Sequence, residues 1–212
     1  SQVNGADVSY SYIVKYSGGS GRGDTLPMLI ALHGNGDTTK GFYKTALDEY
    51  TTSARIVLIK APIPYGRGSA WPIAPDIVPY GDALSQVVEK LTNKYPTTGK
   101  PILLGFSGGG IMAYYQAVQH GDDYSHIFPI SGRLVKQDLG NQVAQPSSSV
   151  HAFHGKSDSV VSFSGGKKAV SVLKSKGVTI QFTEFDGGHH GVFVEMKTEI
   201  TQSVEEKLEA LY

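Results

Sequence analysis

The stretch from Pro101 to Gly110 leaves a chain like this few ways to fold. Pro101-Ile102-Leu103-Leu104 is an apolar run with the length and character of a buried strand. It leads into Gly105-Phe106-Ser107-Gly108-Gly109, after which a helical pattern begins with Ile111, Tyr115 and Val118 on one face. A strand that turns into a helix around a serine fits G-x-S-x-G, a sharp elbow that holds the hydroxyl exposed. The glycines answer a steric demand, because a turn this tight brings strand and helix too close for a Cβ two residues either side of the serine. The helix also aims N–H groups and its positive dipole end at the place where an oxyanion would form. An ordinary glycine-rich turn has the same local pattern, so the chemistry must be argued from partners elsewhere.

The rest of the chain supplies strands and helices in alternation. Asp7 to Tyr16 places Val8, Tyr10, Tyr12, Val14 and Tyr16 on one face and predicts an N-terminal antiparallel strand, followed by a flexible turn over Ser17 to Asp24. Pro27 to Leu32 is a continuous apolar run of the central, parallel kind, and a helix is expected from Thr39 to Ser53 with Phe42, Ala46 and Tyr50 on one side. Arg55 to Lys60 predicts the next strand, stopped by Pro62 and Pro64, with a loop over Tyr65 to Tyr80. Asp82 then caps a helix carrying Leu84, Val87, Val88 and Leu91, closed by Pro96.

Beyond the elbow come a strand at His126 to Ile130, a loop with a short helix to about Gln145, and a strand at Val150 to Phe153. A helix over Ser164 to Lys176 with Gly177 at its C-cap, a last strand at Val178 to Phe185, and a terminal helix with a Met196, Ile200, Val204, Leu208 stripe complete the pattern. The expectation is one α/β domain over residues 1–212, with a mostly parallel sheet and right-handed crossovers. Ligands of such sheets sit at the carboxyl ends of the strands, where four glycine-rich loops fall.

Composition narrows the chemistry. Nineteen basic and nineteen acidic residues cancel, so no nucleic-acid partner or anionic membrane is indicated. No apolar run reaches membrane-spanning length, and the sequence given carries no signal peptide. It begins at Ser1 without a methionine, as a processed or trimmed product would, and both a cytoplasmic and an exported location stay open. Zero cysteines exclude disulfides, Cys-based metal sites and a cysteine nucleophile. No metal or other cofactor is expected; monomer and homodimer are equally compatible.

A serine hydroxyl needs a base, and the base needs a third group to orient it. Ser107, Asp158 and His189 occur in the order serine, acid, histidine, each at the end of a different expected strand. Asp158 would otherwise be a turn residue; Asp186 is the rival acid, but it sits three residues before His189 on the same strand end. His190 competes with His189, and Gly187-Gly188 favours the histidine directly after it. His33 and His154 read as loop-bracing residues. The oxyanion donors expected are the N–H groups of Gly108 and Asn35. Trp71 is a candidate pocket wall and equally a candidate core residue, with His190 a further pocket candidate.

These residues together resemble the phospholipase/carboxylesterase family of α/β-hydrolases, which includes acyl-protein thioesterases. The match runs from about Leu26 to Glu195 and rests on Leu32-His33-Gly34-Asn35-Gly36-Asp37, Gly66 to Pro72 with Trp71, the serine elbow, and Ile130-Ser131-Gly132. His154-Gly155-Lys156-Ser157-Asp158-Ser159-Val160-Val161 and Gly188-His189 extend it. The resemblance implies an α/β-hydrolase fold without a substantial lid domain, and carboxylic ester hydrolysis. It implies Ser107 as nucleophile, His189 as base and Asp158 as orienter, with the N–H groups of Asn35 and Gly108 as oxyanion donors.

Two positions depart from the family pattern. Gly108 stands where glutamine is usual, and Asn35 where leucine is common. With a short loop after Trp71, they favour a general esterase acting on small, short-chain acyl esters over an acyl thioesterase or lysophospholipase. A ligand-binding protein on a hydrolase scaffold is the non-enzymatic alternative, against which the complete Ser, Asp and His set argues. A histidine base would make activity fall on acidification through the ordinary histidine range near ~6.5.

Overall fold

The apolar runs become the middle of one eight-stranded sheet. The computed structural model describes residues 1–139 and 148–212. Its strands are β1 (Gln2–Gly5), β2 (Val8–Ser17), β3 (Met28–Leu32), β4 (Ala54–Ile59), the short pair β5 (Ile63–Tyr65) and β6 (Gly68–Ala70), β7 (Ile102–Phe106), β8 (His126–Ile130), β9 (Ser149–Gly155) and β10 (Ile180–Phe185). The large sheet runs β1-β2-β4-β3-β7-β8-β9-β10, antiparallel across β1, β2 and β4 and parallel from β4 onward. Its helices are α1 (Thr39–Phe42), α2 (Ile77–Lys94), α3 (Gly108–Gln119), α4 (Lys136–Leu139), α5 (Phe163–Ser175), α6 (Val192–Glu195) and α7 (Lys197–Glu209).

Side chains alternate across each strand, and both faces of the sheet are covered. In β3, Met28, Ile30 and Leu32 enter one apolar cluster with α2, α3 and α5, while Leu29 and Ala31 enter the other with α7. A strand buried on both faces needs an unbroken apolar run, which is what Met28 to Leu32 provides. Among the described residues no helix is long and apolar enough to cross a membrane.

Several expected boundaries move. The helix from Thr39 ends at Leu47: α1 passes into a π-helical turn over Tyr43–Leu47. The chain then unwinds because Glu205 of α7 accepts the N–H groups of Thr51 and Thr52, at 2.5 and 2.8 Å. Phe42, Ala46 and Tyr50 are nevertheless all buried in one cluster, as their spacing suggested. The expected loop over 65–80 holds most of the β5–β6 hairpin and the first turn of α2, where Pro79 loses no helical bond. Asp82 therefore lies inside α2 instead of capping it, and accepts from Tyr115 Oη at 3.0 Å. The β1 strand was not legible in the sequence. The short helix expected to reach Gln145 is seen as α4 up to Leu139, and its remainder lies outside the described residues.

What positions the site is how closely α3 begins against the sheet. A Cβ on Gly109 would lie 2.3 Å from the Leu32 carbonyl oxygen, and one on Gly110 2.7 Å from that of Ile130. A Cβ on Gly105 would lie 2.1 Å from the Gly109 oxygen. These neighbours are backbone atoms of buried strands and of the helix, so they cannot swing aside. Gly109→Ala is therefore expected to cost at least about 1–3 kcal/mol by overpacking. Urea unfolding measures it; an unchanged midpoint would contradict the close approach.

Candidate active site

Ser107 ends the β7 run with φ 56° and ψ −114°, in the left-handed half of backbone space that a non-glycine residue seldom occupies. The conformation is held from both sides. Ser107 N–H donates to the Ile130 carbonyl at 2.9 Å, and the Ser107 carbonyl accepts from Ile111 N–H at 2.9 Å. The neighbouring strand exit repeats the device, for Ser131 has φ 53° and donates its N–H to the Phe153 carbonyl at 2.9 Å. Packed strands and helix thus hold a strained turn that would otherwise relax.

His189 reaches this serine from the loop after β10. Its Nε2 stands 2.8 Å from Ser107 Oγ and its Nδ1 2.7 Å from Asp158 Oδ2. A carboxylate only accepts, so the proton is assigned to Nδ1 and Nε2 presents its lone pair to the serine hydroxyl. Asp158 is also a turn residue: its Oδ1 accepts the N–H groups of Val160 and Val161 at 2.9 and 2.8 Å. Each carboxylate oxygen has its own task, and the side chain has no exposure.

His154 lies alongside, with Nε2 donating to the Val161 carbonyl at 2.8 Å and 3.4 Å from Asp158 Oδ2. It braces the acid's turn, as a loop-bracing reading anticipates. The loop carrying His189 is sewn to the end of β9, where Ser157 N–H donates to the Gly187 carbonyl at 2.9 Å. Asp186 is exposed and pairs with Lys156 at 3.3 Å, and His190 is exposed with its ring edge-on to His189.

The loop after β3 closes over the elbow. A Cβ on Gly34 would lie 3.5 Å from Ser107 Cβ. Buried His33 accepts Ala61 N–H on Nε2 at 3.0 Å and donates from Nδ1 to the Gly34 carbonyl at 2.7 Å. Trp71 grips the same loop at two points: its indole N–H donates to the His33 carbonyl at 2.8 Å, and its backbone N–H to Asn35 Oδ1 at 2.9 Å. Its ring is only 3% exposed and packs against Tyr10 and His33, which places Trp71 in the core behind the loop.

The Asn35 carboxamide lies directly on Gly108, where a Cβ would fall 2.1 Å from Oδ1 and 2.6 Å from Cγ. The two departures from the family pattern are therefore one feature, since the side chain at 35 occupies the space that a side chain at 108 would need. The N–H groups at the start of α3, Gly108 included, have no acceptor within the helix. Among the described residues no cluster of three His, Asp or Glu side chains could hold a metal ion.

The family model described as Phospholipase/Carboxylesterase matches residues 77–208, more than half of the chain. The chain belongs to this family. Lysophospholipase-like protein 1 of Mus musculus is 28% identical over 188 residues, covering 76% of this chain and 79% of that protein. The crystal structure of the Bacillus cereus carboxylesterase superposes with a TM-score of 0.75 at 14% identity, over 98% of this chain and 97% of the other. That of Zea mays acyl-protein thioesterase 2 gives 0.73 at 21%, over 93% and 99%. The fold is that of the α/β-hydrolases, and the reaction class of the phospholipase/carboxylesterase family is the hydrolysis of carboxylic esters.

Sequence reasoning missed two supports of the site. Phe106, the variable residue of the motif, packs its ring 5.1 Å from that of His189 and edge-on to Phe193. Nothing in G-x-S-x-G signals this. The β5–β6 hairpin was also missed; it binds the loop after β3 through Gly36 N–H to the Ser69 carbonyl at 2.8 Å.

Burial holds the pKa of His33 below the ordinary histidine value, assisted by the nearby Lys60 charge and opposed by its bond to Gly34 and by Asp37. The unfolded chain then binds the extra proton first, so this contribution to stability is present above pH ~6.5 and is lost as pH falls below it. Nitrogen-15 spectra are expected to show His33 titrating below the ordinary histidine value, with the proton of the neutral ring on Nδ1. Titration near ~6.5, or a proton on Nε2, would contradict the arrangement.

Proposed function

We propose that the chain acts as one domain over residues 1–212 and hydrolyses short-chain acyl esters through an acyl-enzyme on Ser107. The observation that carries this reading is the continuous hydrogen-bonded line from Ser107 Oγ through His189 to Asp158. His189 Nε2 takes the hydroxyl proton as Oγ attacks the ester carbonyl, and the imidazolium is stabilised by the Asp158 carboxylate. The carbonyl oxygen, now carrying the negative charge, accepts from the N–H groups of Gly108 and Asn35. His189 then gives its proton to the departing alkoxide, which leaves as the alcohol. Water repeats the sequence on the acyl-enzyme, giving the acid and free Ser107. Only residues 72–76 separate Trp71 from α2, and so short a link supports an open mouth and small substrates.

A second reading, acyl thioesterase or lysophospholipase, is kept by the names of two similar proteins, the mouse lysophospholipase-like protein and the maize thioesterase. A chain-length series separates the readings. Hydrolysis of p-nitrophenyl acetate and butyrate is expected to exceed that of octanoate and palmitate, and to be lost in Ser107→Ala. The reverse order would favour the second reading.

Asp158→Asn retains an oxygen for the two turn N–H groups but removes the charge, and is expected to lower kcat by about 10³–10⁴-fold with little change in KM. A loss under tenfold would remove Asp158 from this role.

Gly108→Ala is expected to lower kcat by about 10²-fold, because the Asn35 carboxamide must be displaced from the oxyanion donors. In an Asn35→Ala background the same change has room and is expected to cost under fivefold. Losses that simply multiply in the double variant would break this link.

A further inference from the structure

Downstream of Asn35 the same loop walls a cavity of about 300 Å³, lined among others by Asp37, Thr39, Lys40, Lys60, Arg67 and Gly68. Three cations reach it from three pieces of chain: Lys40 in α1, Lys60 just beyond β4, and Arg67 in the turn between β5 and β6. Among the described residues none of the three joins an ion pair or spends its charged end on a hydrogen bond. One carboxylate, Asp37, also lines the cavity, its Oδ1 accepting Thr38 N–H at 2.7 Å, so three cations stand against one anion. A chain with equal acidic and basic counts has no general surplus of positive charge to distribute here. Like charges brought together repel, and an arriving anion relieves that repulsion.

The floor of the cavity is firm. Ser69 N–H donates to the Asp37 carbonyl at 3.2 Å, and a Cβ on Gly68 would fall 2.1 Å from that same oxygen. The two backbones therefore touch, and Gly66 (φ 59°) turns the hairpin that carries Arg67. The cavity is walled by the same loop that packs on the reacting serine. Asp37 is two residues from Asn35, within about 7 Å even if the chain were fully extended. Asn35 is in turn next to Gly34, which packs on Ser107. From Gly34 to Asp37 in the cavity lining is three residues, at most about 11 Å.

We propose that this cavity is an anion subsite, and that the preferred substrates are esters bearing a carboxylate or phosphate a few bonds from the ester carbonyl. Lysine ammonium groups and the forked arginine guanidinium are the side chains that recognise such anions, with the Thr39 hydroxyl as a further donor. The volume suits a small charged fragment, not a long acyl chain. The inference rests on the serine esterase reading above. It deepens that reading by naming what part of the substrate is held.

The test compares charged and neutral members of matched pairs by pH-stat. One pair, monoethyl glutarate and ethyl valerate, carries the carboxylate on the acyl side; the other, 1-butyrylglycerol 3-phosphate and 1-butyrylglycerol, carries phosphate on the alcohol. At least one charged ester is expected to exceed its neutral partner by about tenfold in kcat/KM, mostly through KM, a scale set by a few partly screened charge pairs. Whichever pair shows it identifies the anion and its side of the ester. In Lys60→Gln/Arg67→Gln the preference is expected to collapse to parity while turnover of the neutral esters stays within twofold.

Equal or faster turnover of both neutral esters by the wild type would overturn the proposal, as would a preference that survives the double variant. Calorimetric titration with glycerol 3-phosphate and with glutarate keeps the question apart from catalysis. If no ester is turned over, the esterase reading fails; binding that is lost in the double variant would still support the subsite, and no binding would overturn it.

Discussion

Helix α3 starts nearer to the sheet than a chain with side chains at those positions would permit. Gly105, Gly109 and Gly110 bring its first turn against the carbonyls of β3 and β8. Everything at the site inherits its position from that contact. It forces Ser107 into a left-handed backbone conformation, and that conformation lifts the hydroxyl out of the turn toward His189. It also brings the start of α3 under the loop after β3, where Gly34 packs on Ser107 and the Asn35 carboxamide lies on Gly108.

Around this contact the loops are joined to one another more than to solvent. Trp71 ties the chain after β6 to the loop after β3, and the Gly187 carbonyl ties the loop after β10 to the end of β9. Asp158 illustrates the economy of such a site: one oxygen makes its own turn and the other orients the histidine. A residue type common in turns here both forms its turn and bonds the histidine, so the two readings of Asp158 do not exclude one another.

Much of this was legible because the signals were local and strong. Continuous apolar runs mark strands covered on both faces, and β3, β4 and β7 follow theirs closely. The elbow, and the order of serine, acid and histidine at strand ends, pointed to three side chains that lie in one hydrogen-bonded line. Less legible was whatever depended on distant partners. Helix α2 starts earlier than its apolar stripe suggests, because Pro79 fits a first turn; the helix from Thr39 stops early because Glu205, far along the chain, captures the N–H groups after it. The contact of Asn35 with Gly108 was visible in the sequence only as two separate departures. Their meeting required the folded backbone.

The account depends most on Ser107 being the group that forms the covalent bond. Labelling with a fluorophosphonate, followed by mass spectrometry of the digested protein, tests this directly. The account predicts a single adduct per chain, on the peptide carrying Ser107, with labelling abolished in His189→Ala although the serine itself remains. An adduct on another residue, or undiminished labelling without His189, would contradict it.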